Sequence, residues 1–174
     1  MASKHWILIT GPPGIGKTTL ITKVSKELSR RHIPTVGFFT EEVRQNGQRT
    51  GFDIVSIKTY NDSHRVGKYS VDLKSFEAIA IPNLKPVKSC KDAVVVIDEI
   101  GKMELFSKSF EHTVLELFSN DNQQFILATI PIAKNKPLPL VDTLRSRSDI
   151  KLIDVVSREN RNELVQTIVD EFTK

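Results

Sequence analysis

Apolar and polar positions along the chain switch between two periods, and the switches mark a protein of mixed strands and helices. His5–Thr10 is a short apolar strand. Thr19–Arg31 carries Leu20, Ile21, Val24 and Leu28 at i, i+1, i+4 and i+8, the stripe of a 3.6-residue helix. Pro34 ends that helix, and Thr35–Thr40 reads as a second buried strand. Asn46-Gly47 lies between Glu42–Gln45 and Arg49–Ile57 and predicts a hairpin, because a type I′ turn needs positive φ at both central residues. Val66–Leu73 reads as a further strand, and Ser75–Ala80 as a short helix or turn ended by Pro82.

The second half alternates more strictly. Ala93–Asp98 is an apolar strand that ends in acids, as parallel core strands do. A helix over about Ser107–Ser119 leads to the strand Gln124–Ile130. Pro131, Pro137 and Pro139 stiffen a surface loop, followed by a short helix Leu140–Arg147 and the strand Ile150–Val156. Ser157 caps a final helix in which Leu164, Ile168 and Phe172 recur every four residues. The order β, α, a β-rich stretch, then β, α three times predicts an α/β fold with a mostly parallel central sheet. We read residues 1–174 as a single domain carrying an inserted β-hairpin region at about 41–73, with no repeats, linker or low-complexity tract.

Composition narrows the class. The 174 residues suffice for a three-layer core, and 39% hydrophobic with 26% charged residues is ordinary for a globular protein. Ala93–Ile97, the longest strongly apolar run, falls far short of the ~20 residues that span a membrane. The single cysteine, Cys90, excludes an internal disulfide framework and suits a reducing compartment, so the cytoplasm is the expected location. His5, His32, His64 and His112 are too scattered to give a zinc-ligand spacing with Cys90. The net charge of +4 is uneven: Val43–Lys91 holds nine Lys/Arg against four Asp/Glu. Such a stretch suits nucleic acid or steers anionic nucleotides. Its aromatic residues are scattered, however, and a solvated face is the preferred reading.

The strongest chemical signal is Gly11-Pro12-Pro13-Gly14-Ile15-Gly16-Lys17-Thr18, which fits G-x-x-x-x-G-K-[ST], the phosphate-binding (Walker A) loop. It sits between a strand and a helix, where that loop belongs. Its glycines let backbone N–H groups curl around phosphates, and the helix N-terminus adds partial positive charge. Lys17 reaches the β- and γ-phosphates, and the Thr18 hydroxyl suits Mg²⁺. A nucleoside triphosphate, ATP or GTP among others, is the expected ligand.

About eighty residues later, Val94-Val95-Val96-Ile97-Asp98-Glu99 supplies the complementary (Walker B) feature. Asp98 suits Mg²⁺, directly or through water, and Glu99 is placed to orient the attacking water or take its proton. Thr129 ends the neighbouring strand, where it contacts the γ-phosphate or the attacking water or is an ordinary strand-end residue; these readings stay open. Arg145 and Arg147 follow the proline-rich loop, which we place near the nucleotide, and are candidates to stabilise transition-state charge. Glu41, Glu42, Arg44 and Arg49 either line the pocket or pair across strands, with the pocket slightly favoured.

At these residues the chain resembles a known family. Gly11–Leu20, Phe39–Arg44, Gly51–Asp53, Arg65–Gly67, Val94–Leu105 (VVVIDEIGKMEL) and Glu159–Arg161 are similar to the cancer-related nucleoside triphosphatase of animals and its thermophile relatives. The resemblance implies a RecA-like P-loop fold and slow, Mg-dependent hydrolysis of several NTPs to NDP and phosphate. It carries Gly11–Thr18, with Thr19 beside them, over as nucleotide-binding residues. It carries Val94, Val95, Val96, Ile97, Asp98, Glu99, Ile100 and Gly101 over as a second nucleotide-contacting segment.

An NTP phosphohydrolase of relaxed base preference is therefore expected, since no N-K-x-D base-reading motif is present. A small-molecule kinase shares the loop, but a glutamate beside the metal aspartate argues against an enzyme that must exclude water. A nucleotide-driven switch associated with nucleic acid is the third reading, and a monomer is the default.

Overall fold

The computed structural model describes residues 6–57, 65–69, 73–85, 92–133, 136–155 and 157–173. Its strands are β1 (Trp6–Thr10), β2 (Thr35–Gln45), β3 (Gln48–Ile57), β4 (Arg65–Tyr69), β5 (Val94–Asp98), β6 (Phe125–Thr129) and β7 (Ile150–Asp154). Its helices are α1 (Lys17–Arg30), α2 (Leu73–Leu84), α3 (Lys108–Leu117), α4 (Pro139–Ser146) and α5 (Arg158–Glu171), with a 3-10 turn at Glu104–Phe106. The seven strands form one sheet in the order β4-β3-β2-β5-β6-β1-β7. Pairing is parallel from β2 through β5, β6 and β1 to β7, and antiparallel only at β2–β3 and β3–β4.

The pleat sends alternate residues of the central strands into two different cores. Trp6, Leu8, Val95, Ile97, Ile126 and Ala128 pack on one face with Ile79 and Leu84 of α2, Phe110 and Val114 of α3 and Leu140 and Leu144 of α4. Ile7, Ile9, Val94, Val96 and Leu127 pack on the other with Leu20, Val24 and Leu28 of α1 and Ile168 and Val169 of α5. Strands buried on both faces explain why these segments are apolar throughout. The result is a three-layer α/β fold of P-loop type with a mostly parallel sheet. Among the described residues, no helix is long and apolar enough to cross a membrane.

Several boundaries differ from the sequence expectation. Helix α1 begins at Lys17, two residues early, because the loop feeds directly into it through Gly16. The predicted strand Thr35–Thr40 and the first hairpin arm are one eleven-residue strand, β2, with a register shift at Val43/Arg44. Asn46 (φ 50°) and Gly47 (φ 77°) turn it into β3 as the Asn-Gly pair requires. Pro82 does not end α2; it lies in the last turn. Asn83 Nδ2 donates to the Ile79 carbonyl at 2.6 Å, and burial of Ile79, Ala80 and Leu84 holds that turn in place. Pro139 opens α4 rather than stiffening the loop before it, since a proline at the first helical position forfeits no hydrogen bond.

Candidate functional site

The phosphate loop leaves β1 at Gly11, which approaches the end of β7 so closely that a Cβ there would lie 2.5 Å from the Val155 carbonyl oxygen. Val155 N–H donates to the Thr10 carbonyl at 2.8 Å, fixing this side of the loop to β7. Gly16 adopts φ 102° and ψ 36° as the residue preceding α1, a conformation that excludes ordinary side chains. The Leu20 N–H closes the first turn on the Gly16 carbonyl at 2.9 Å. Lys17 folds back over the loop, and its Nζ donates to the Gly11 carbonyl at 3.2 Å. Pro12, Pro13, Gly14 and Thr19 are exposed, while Ile15 through Thr18 are half-buried. The loop thus presents its backbone outward at the carboxyl end of β1.

The acidic end of β5 is not adjacent to β1. Strand β6 lies between them, pairing Leu8 with Ala128 on one side and Ile97 with Ala128 on the other. Thr129, the last residue of β6, therefore spans the gap. It is fully buried and its Oγ1 donates to Asp98 Oδ1. Asp98 itself is 2% exposed, and Oδ2, its other oxygen, is buried without a hydrogen-bond partner. Burial pushes the Asp98 carboxyl up; the Thr129 and Thr18 hydroxyls, the Lys17 charge and the Thr40 backbone oppose that rise. Asp98 and Thr18 are thus close enough to interact, although one ends β5 and the other lies in the first turn of α1. A buried carboxylate oxygen lacking a partner beside a threonine hydroxyl suits a hard divalent cation, so the donor set fits Mg²⁺.

The Asp98–Glu99 peptide bond is cis. Glu99 and Glu104 lean together over Gly101: a Cβ on Gly101 would lie 2.8 Å from Glu99 Oε1 and 2.9 Å from Glu104 Oε2. Burial pushes the Glu104 carboxyl up to about 7, and the nearby Glu99 and Asp98 charges add to the rise against its own and the Gly101 backbone N–H. Ile100 is buried, and its N–H donates to the Thr129 carbonyl at 2.9 Å, which anchors the segment after β5 to β6.

The sequence candidates separate cleanly. Gly11–Thr18, Asp98, Glu99 and Thr129 stand at one end of the sheet. Val94, Val95, Val96 and Ile97 are wholly buried in the two cores and offer no surface to a ligand; in the rest of that candidate segment Asp98, Ile100 and Gly101 are buried and Glu99 is half-buried. Arg145 reaches the same end as the loop: Nη2 donates to the Pro131 carbonyl and Nη1 to Thr10 Oγ1 at 3.4 Å. Arg147 does not. Its guanidinium is paired with Asp149 at 2.6 Å, donates to the Phe118 carbonyl at 2.6 Å, and lies 4.9 Å from the Trp6 ring centroid. Trp6 begins β1 whereas the phosphate loop follows its end, so Arg147 occupies the opposite end of the strands.

In the hairpin, Glu41 lies opposite Asp53, two positions beyond the Phe39–Asp98 pairing, whereas Arg44 folds onto the Gly47 carbonyl at 3.3 Å at the turn. The Glu42 and Arg49 side chains lie outside the described residues. Two charged groups at the site, Glu104 and Arg161, lie in the family-like stretches Val94–Leu105 and Glu159–Arg161 but were given no site role from sequence. Glu104 follows Glu99 by five residues without any helical spacing that would pair them. Arg161 lies against Gly16 but sits about 145 residues from it.

Comparison with known proteins agrees with this fold. The sequence model of a family described as NTPase matches residues 6–169. The chain is 45% identical to the cancer-related nucleoside-triphosphatase of Homo sapiens, covering 94% of both chains. It is 39% identical to the nucleoside-triphosphatase THEP1 of Thermotoga sp. (strain RQ2), covering 94% of this chain and 92% of that one. The crystal structure of THEP1 from Aquifex aeolicus superposes with a TM-score of 0.77 at 37% identity, covering 97% and 99% of the two chains.

Proposed function

This chain belongs to the NTPase family and is a nucleoside-triphosphatase, and on that premise we propose a Mg²⁺-dependent hydrolysis of NTP to NDP and phosphate, with little discrimination among bases. The observation that carries the mechanism is the buried, half-satisfied Asp98 carboxylate, held by Thr129 and facing the loop that bears Thr18.

In this reading the loop N–H groups and Lys17 hold the β- and γ-phosphates, and Lys17 leaves its contact with the Gly11 carbonyl to do so. Asp98 and Thr18 would hold the Mg²⁺ ion, which supplies charge neutralisation to the phosphate chain. Glu99, next to Asp98 yet half-buried rather than enclosed, orients a water for in-line attack and accepts its proton. Recognition through phosphates and backbone reads no base edge, which supports breadth of substrate. Arg145, already held by Thr10 and Pro131, supports the loop base.

The test is phosphate release from ATP, GTP, CTP and UTP with Mg²⁺, for wild type, Glu99→Gln and Lys17→Ala. We expect release from all four, falling by roughly two to four orders of magnitude in Glu99→Gln with NTP binding retained. Lys17→Ala should lose roughly two to three orders of magnitude. Near-normal turnover in either variant would sink the mechanism. Release only in the presence of an acceptor would instead make it a kinase.

A further inference from the structure

Three arginines near the sheet ends differ in how their guanidinium groups are satisfied. Arg147 is chelated by Asp149 and the Phe118 carbonyl. Arg145 is tied through both terminal nitrogens to the Pro131 carbonyl and Thr10, although its Nε too is buried without a partner. Arg161, in the first turns of α5, meets neither a carboxylate nor a carbonyl acceptor among the described residues: Nη2 donates weakly to the Asn162 amide oxygen at 3.4 Å, and Nε is buried without a partner. That amide oxygen already accepts from Lys23 Nζ at 2.9 Å.

Yet Arg161 is not a loose surface side chain. It covers the phosphate loop at Gly16: a Cβ on that glycine would collide with Nη1 and lie 3.0 Å from Cδ. A guanidinium that lies on an anion-binding loop and is short of acceptors is poised for a ligand rather than spent as a brace.

The sheet order says which part of the ligand it meets. The acids and Thr129 lie on the β6/β5 side of β1, so the γ-phosphate end of the substrate belongs there. Arg161 comes from the helix that follows β7, the strand on the opposite side of β1. A triphosphate laid over the loop with its γ-phosphate towards Asp98 and Glu99 leaves its sugar and base on the α5 side.

We infer that Arg161 grips the nucleoside end of the bound triphosphate, its guanidinium plane covering the sugar–base portion irrespective of base. This rests on the NTPase reading above and adds a recognition residue to it. A planar cation against a base face stabilises every base, which gives a physical reason for broad specificity.

The test compares wild type, Arg161→Ala and Arg161→Lys for KM and kcat with ATP and GTP, and for inhibition by inorganic tripolyphosphate, which has the phosphate chain without the nucleoside. In Arg161→Ala, KM for both nucleotides should rise roughly tenfold or more. Its kcat should change by less than about threefold. Tripolyphosphate should inhibit the variant as it does the wild type, and Arg161→Lys should recover only part of the affinity. An unchanged KM, a fall in kcat alone, or an equal loss of tripolyphosphate binding would overturn the assignment, the last by making Arg161 a support of the loop. Should Arg161→Ala fail to fold, Arg161→Lys and Arg161→Gln carry the same comparison. Wild type that neither binds nor hydrolyses NTP would refute the NTPase reading itself, whereas active wild type with an indifferent Arg161 refutes only this inference.

Discussion

Thr129 Oγ1 donates to Asp98 Oδ1 across the boundary between two parallel strands, and this leaves only the second carboxylate oxygen of Asp98 to be satisfied. The bond fixes the rotation of a buried carboxyl and so aims the remaining oxygen. In the proposed Mg²⁺ site, this contact would make Thr129 a positioning residue behind Asp98.

Thr129→Val keeps the shape and removes the donor. We expect the Mg²⁺ concentration for half-maximal turnover to rise roughly 10- to 100-fold, the usual cost of losing a partner behind a metal ligand. Stability should fall by about 1–3 kcal/mol as Asp98 loses a bond within the core. A Mg²⁺ titration indistinguishable from wild type would remove this role.

Gly101 is needed for close approach. Its Cβ position is taken by the ends of Glu99 and Glu104, which are flexible side chains rather than backbone. Gly101→Ala should therefore displace carboxylates without unfolding the chain. We expect kcat to fall by roughly tenfold or more while the melting temperature moves by only a few degrees. A large loss of stability with normal kcat in the folded fraction would contradict this.

Glu104 predicts a pH signature in the metal-free protein. Its folded carboxyl titrates at about 7 against 4.5 for the unfolded chain, so the native state binds more protons between those values. Stability therefore falls as pH rises from about 4.5 to 7, by at most on the order of 3 kcal/mol, and the penalty persists above 7. Glu104→Gln removes the charge. Its denaturation midpoint should exceed wild type at pH 8 and approach it at pH 5, measured in urea with chelator present. An equal difference at both pH values would show that Glu104 does not titrate in this way.

Arg147 separates fold from chemistry. Its contacts are Asp149, the Phe118 carbonyl and the Trp6 ring, all away from the phosphate loop. Arg147→Ala should cost about 1–2 kcal/mol of stability and leave kcat per folded molecule unchanged. A hundredfold drop in kcat would restore it as a charge-stabilising residue.

Local chemistry explains what was legible in the sequence. The phosphate loop is contiguous, so its glycines, Lys17 and Thr18 declare themselves without knowledge of any partner. Asn46-Gly47 turned the hairpin because φ is a property of those two residues. Buried parallel strands announced themselves as apolar runs, and Asp98-Glu99 stood out because charges interrupt one. Pro82 misled for the same reason: a local rule ended a helix that packing of Ile79, Ala80 and Leu84 carried one turn further.

The sequence by itself thus determined the α/β class, the loop, and the identity of the acids at the end of β5. Only the tertiary structure decided that β6 lies between loop and acids, which turns Thr129 into the support of Asp98. It also sent Arg145 and Arg147, two residues apart, to opposite ends of the sheet, brought Glu104 against Glu99, and laid Arg161 on Gly16. These pairings join residues that share no spacing. They follow from strand order and helix packing, where burial over the whole core, and not the preference of any one segment, selects which side chains meet.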